Sequence, residues 1–172
     1  ITGSSTINGV TIKADTTNFE NSYLISQNAS TGTLSSASAN TGFGDSVFAA
    51  LTSGTSNVAI GNAAMAGNTT GSLNTAVGNG AFDTNTTGAS NVAIGDRALT
   101  ANTTADRNVA IGERAMTANT TGATNTAVGA AALFSNTTAS NNTAIGVSAL
   151  QENTTGTEHV AVGSLALDAN TT

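Results

Sequence analysis

Few residues in this chain could do chemistry. His159 is the only histidine, and there is no cysteine to join it in a ligand set. It occupies a position that earlier repeats fill with asparagine, so a polar variant in a structural column explains it better than a catalytic base. No paired-carboxylate cleft and no nucleophile beside a base can be read around it. Asp96, Arg97, Glu113 and Arg114 fall at matching places in two successive repeats and are expected to form diagonal ion pairs. On an exposed surface such pairs contribute at most about 1 kcal/mol each. The stretch Gly42-Phe43-Gly44 lacks the spacing of a phosphate loop. The reading is therefore no enzyme, with no catalytic, cofactor or metal residue.

One modification motif recurs. Asn68, Asn85, Asn102, Asn119, Asn136, Asn153 and Asn170 each open an Asn-Thr-Thr sequon, and Asn28 and Asn141 head two more. In a secretory pathway, sugar would coat one edge of the molecule at every repeat. Turn chemistry is the simpler explanation, because Asn and Thr side chains bond their own backbone in loops.

Composition narrows the class. With no Cys and no Pro, neither disulfides nor a zinc ribbon can staple the fold. Only 8% of residues are charged, and four Lys and Arg against ten acidic residues leave a net charge of −6. A phosphate-binding surface needs clustered cations, so nucleic acid is not an expected partner. No apolar run is long enough for a membrane span. The apolar residues nevertheless keep strict phase, which a disordered chain has no reason to do.

That phase sets the architecture. Asn-x-Ala-(Ile/Val)-Gly begins at Asn57, Asn74, Asn91, Asn108, Asn125 and Asn142, always 17 residues apart. His159 begins a further copy and Asn40 an eroded one. A fixed period of this length marks a solenoid, in which each unit buries its apolar face only against its neighbours. The segment Asn-Val-Ala-Ile-Gly reads as a short strand closed by a turn. The following Arg-Ala-Met-Thr-Ala reads as a second short strand, with a helix as the lesser alternative. The reading is an all-β parallel solenoid, or β-roll, of about eight coils over 40–172. Residues 1–22 serve as lead-in or cap, with Asn8-Gly9 as a hairpin turn, and 23–39 as a degenerate first coil starting at Tyr23. The chain is read as a piece of a longer protein.

Stacking turns each repeat position into a column. The fifth position holds Gly44, Gly61, Gly78, Gly95, Gly112, Gly129, Gly146 and Gly163, as a turn at positive φ requires. The fourth holds Ile60, Val77, Ile94, Ile111, Val128, Ile145 and Val162, and the ninth Met65, Phe82, Leu99, Met116, Leu133, Leu150 and Leu167. Both columns are expected inside, as a thin core. The alanines at the third and eighth positions would then face close neighbours in other chains. The Asn columns are expected to form amide ladders.

These motifs resemble the head repeats of YadA-like trimeric autotransporter adhesins. Closer still, the run from Asn125 to Gly146 resembles the repetitive shafts of phage tail fibres. The resemblance covers 40–172 strongly and 1–39 weakly, where "ITGSSTINGVTI" is similar to the lead-in of such shafts. It implies a homotrimer on a virion or cell surface, projecting an unseen tip that binds a host-surface glycan or protein. Two other readings stand beside this one. The repeat array itself could bind a glycan or protein receptor with avidity, or the Thr pairs could make an ice-binding surface.

Overall fold

The computed structural model describes residues 3–7, 10–26 and 31–172. It is all-β, and its parallel strands stack into a solenoid of about 8 turns at 17-residue spacing. The order opens with β1 (Gly3–Ile7), β2 (Val10–Thr16), β3 (Phe19–Ser26) and β4 (Ala37–Ser38). Eight three-residue strands follow: β5 (Thr41–Phe43), β6 (Val58–Ile60), β7 (Thr75–Val77), β8 (Val92–Ile94), β9 (Val109–Ile111), β10 (Thr126–Val128), β11 (Thr143–Ile145) and β12 (Val160–Val162). From β5 to β12 each strand pairs in parallel with the next and in strict register, Ala93 beside Ala110 and Ala110 beside Ala127. Strand length is set by the glycine that follows. Gly112 sits at φ 137°, and a Cβ there would collide with the carbonyl of Gly129 in the next coil.

The second half of each repeat is not a strand, contrary to the sequence reading. Between the glycine and the first sequon Asn the chain runs through tight turns. Arg114 and Met116 both lie in the left-handed region, at φ 56° and 52°. Two such residues in alternation interrupt a β ladder and a helix alike, and each costs about 1–2 kcal/mol. The stack repays this. Arg114 N–H donates to Asp96 O at 2.9 Å, Met116 N–H to Ala132 O at 3.0 Å, and Asn119 N–H closes a turn on Met116 O at 3.2 Å.

The core is also arranged differently from the sequence reading. The ninth-position column, Met65 through Leu150, is fully buried, as are the alanines of the third and eighth positions as far as Ala149, while Ala166 is only partly buried. Leu167 is 52% exposed. The fourth-position column is outside: Ile60 and Ile145 are 41% exposed, Ile94 37%, Ile111 36% and Val162 68%, with Val77 and Val128 half-buried. Neighbouring residues of a strand point to opposite faces, and the interior has room for the methyl of Ala110 but not for Ile111. Volume decides the orientation. From the Asn57 coil to the Asn142 coil each turn therefore encloses one large side chain, not two, while the Asn40 coil encloses Val47, Phe48 and Leu51.

The first coil differs in register. Tyr23 pairs with Thr41, an offset of one residue from the array. Ser22, not Tyr23, takes the role of the ladder asparagine, its Oγ accepting Asn40 N–H at 2.8 Å across 18 residues. β3 runs through the expected boundary at 22/23, pairing antiparallel with β2 on one edge and parallel with β5 on the other. The β1–β2–β3 meander thereby occupies the β5 edge of the stack. The expected turn at Asn8-Gly9 lies outside the described residues; Ile7 and Val10 beside it pair across β1 and β2.

Candidate functional site

The interior and the outward sheet face are built from the same short strand. Inside, two asparagine columns carry the polar contacts. Asn108 Oδ1 accepts the backbone N–H of Asn125 at 2.9 Å, and Asn108 itself donates its N–H to Asn91 Oδ1 at 2.9 Å. Its Nδ2 donates to Gly122 O at 2.8 Å, a carbonyl that also receives Asn119 Nδ2 at 3.0 Å. Asn119 Nδ2 donates in turn to Asn102 Oδ1 at 3.2 Å. Two ladders thus converge on one carbonyl per coil, and every participating asparagine from Asn40 to Asn153 is buried. Satisfied networks of this kind are rigid and specify a single register.

At six of the sequons this arrangement argues against a sugar and for the turn reading. Asn68, Asn85, Asn102, Asn119, Asn136 and Asn153 are fully buried, with their amide nitrogens donating inside the coil. A sugar on Nδ2 would remove a donor and require the side chain to leave the core. Asn170 is partly buried and donates to Thr172 O at 2.9 Å. Asn141 is exposed, and Asn28 lies outside the described residues. The first threonine of each triplet turns its hydroxyl along the axis, as in Thr120 Oγ1 donating to Thr137 O at 3.0 Å. Those hydroxyls are committed to the backbone, while the second threonine of each triplet, such as Thr121, is exposed.

His159 keeps the backbone half of the ladder, donating its N–H to Asn142 Oδ1 at 3.0 Å. Its ring lies 3.5 Å from Asn170 Nδ2. Gly42-Phe43-Gly44 forms β5 and its turn, with Phe43 58% exposed on the outward face. Among the described residues no cluster of His, Cys, Asp and Glu could hold a metal, and no helix is long and apolar enough to cross a membrane.

Outside, the second and fourth strand positions make a continuous face. It runs as Val58/Ile60, Thr75/Val77, Val92/Ile94, Val109/Ile111, Thr126/Val128, Thr143/Ile145 and Val160/Val162. Every member is β-branched, and none is charged. The face is about one strand wide and, at about 4.8 Å per coil, roughly 34 Å long over these seven coils. Contiguous apolar surface of this kind marks an interaction site. Its two rims lie just before the ladder asparagine and just after the turn glycine.

The charges expected to pair do not. Asp96 Oδ1 accepts Asn79 Nδ2 at 2.8 Å, and Asp106 Oδ1 accepts Ala89 N–H at 2.7 Å. Among the described residues, Arg97, Arg107, Glu113 and Arg114 have no ion-pair or hydrogen-bond partner for their side chains. The two repeats do stack through the backbone, Arg114 N–H donating to Asp96 O at 2.9 Å, without their side chains pairing. No protein-family model, curated protein or solved structure matches the chain.

Proposed function

We propose that this chain is a segment of a structural shaft, a homotrimeric fibre on a virion or cell surface that holds a binding tip away from that surface. The observation that carries the reading is the outward face of β6–β12. From Met65 to Leu150 each coil encloses one large side chain while leaving a β-branched pair at least partly exposed. Apolar surface kept in strict register along a rod fits parallel copies of the same rod. A face that meets two neighbours through opposite rims closes into a ring, and the resemblance of the repeat to trimeric shafts sets the number at three. The internal ladders make each coil a fixed step, which is what a spacer requires.

The test is to excise residues 57–90, two whole coils, from the parent fibre. The fibre should shorten by about 10 Å and keep its attachment activity. If the isolated chain instead competes for attachment to the host surface, the array is itself the adhesin and the shaft reading fails.

A further inference from the structure

The apolar face repeats almost unchanged at every coil, so by itself it cannot tell one axial register from the next. Parallel rods could slide by one coil and recover nearly the same packing, the ambiguity that uniform strand faces create. Arginines break this uniformity at one height only, with lone acidic residues, Asp45 and Glu158, on the rims nearer the two ends. The rim before the strand reads Ser56, Leu73, Ser90, Arg107, Thr124, Asn141 and Glu158, and Arg107 follows Asp106. On the other rim Asp96-Arg97 and Glu113-Arg114 stand on successive coils, with Asn79-Gly80 before them and Ala130-Ala131 after.

All the basic residues of the array are therefore confined to two adjacent coils. Lys13, the fourth cation of the chain, is engaged in the cap, donating to Thr31 Oγ1 at 3.0 Å above the Phe19 ring. Arg97, Arg107, Arg114 and Glu113 are exposed, and among the described residues their side chains have no partner.

We infer that these residues form a charged belt that locks the axial register between copies of this chain, Arg107 of one copy meeting Glu113 of the next and Arg97 or Arg114 meeting Asp106. The inference rests on the trimeric reading above. In a closed ring of parallel copies, the rim before the strand of one chain meets the rim after the strand of its neighbour. Along the axis, Asp106-Arg107 lies between the Asp96-Arg97 and Glu113-Arg114 levels, because it ends one coil and precedes the next. Each rim carries both signs, so opposite charges can meet across the gap. A slip of one coil removes one of the two flanking pairs, and a slip of two removes both. Charges at an interface rim add little affinity, but they choose among competing arrangements.

Cysteine trapping tests this cleanly, because the chain has none of its own. Chains carrying Val92→Cys and chains carrying Val109→Cys are co-expressed and oxidised. Disulfides should join chains bearing the same substitution, and mixed disulfides, which report a one-coil slip, should be rare. Adding Arg97→Gln, Arg107→Gln and Arg114→Gln to both chains should raise the mixed fraction about tenfold while light scattering still shows a trimer. Raising the salt concentration during assembly of the unmodified belt should move the fraction the same way. A trimer that keeps its mixed fraction low without the arginines overturns the belt but leaves the shaft reading intact. A chain that is monomeric with the belt present overturns both. If the triple variant fails to fold, the salt series alone decides, and a mixed fraction insensitive to salt rejects the belt.

Discussion

Ala110 and Ile111 are adjacent in one strand and belong to two different molecular economies. Ala110 is fully buried beside the alanines of the coils above and below, in a filled interior shared with Met116 and the asparagine amides. Ile111 is the larger and more apolar of the two, yet it is 36% exposed. The inside of the solenoid is held by shape and directed hydrogen bonds. Its outward face holds the apolar surface that the inside cannot accommodate. Hydrophobicity alone would assign the two faces the wrong way round.

The sharpest way to break this contrast is to exchange the pair. The double substitution Ala110→Ile with Ile111→Ala keeps composition constant and should abolish folding of the central coils. Overpacking a filled core costs typically 1–3 kcal/mol. Loss of the β signal in circular dichroism is the expected outcome; a folded exchange variant would show that the interior is not size-limited.

Asn108→Ala should be the next largest effect. It orphans the buried Asn125 N–H and removes one of the two donors to Gly122 O, for a loss of roughly 1–3 kcal/mol in denaturant unfolding. Ile111→Ala, on the face, should change the stability of a single chain by less than Asn108→Ala does.

The smallest expected effect concerns Asp83, whose carboxyl burial pushes above the usual carboxylate range. A raised folded value means that the folded chain binds the proton more readily than the unfolded one. The associated stability is fully present below the unfolded pKa and is lost as pH rises through the folded one. Asp83→Asn should therefore be slightly more stable than the parent near neutral pH, within about 0.5 kcal/mol. Thermal melts should show that difference vanishing as pH falls into the carboxylate range.

Much of this fold was legible in the residues. The constant spacing of Asn-x-Ala-(Ile/Val)-Gly announced a solenoid, and the invariant glycine announced a turn at positive φ. The asparagine columns announced ladders, although their depth was not apparent. Asn-Thr-Thr reads equally as a surface loop, and only the stack shows Asn102 and Asn119 turned inward. The direction of the strand was hidden because Ala and Ile are both apolar, so alternation left no polar side to mark the solvent. The turns after the glycine were hidden for another reason. Leu99, Met116 and Arg114 at positive φ run against their own backbone preferences, and the contacts between coils that impose them are not local. The extra residue in the first coil was masked by Tyr23, which stands in phase with the array while Ser22 does its work.

The central claim is that the outward face is the contact between copies of this chain. Sedimentation and light scattering on the purified chain at micromolar concentration test it most directly, alongside Ile111→Asp. The parent chain should run at three times its own mass of 16.7 kDa. Ile111→Asp should dissociate it, because a charge in that face would be buried without a partner. A parent chain that remains a stably folded monomer, or an Ile111→Asp trimer indistinguishable from the parent, would contradict the account.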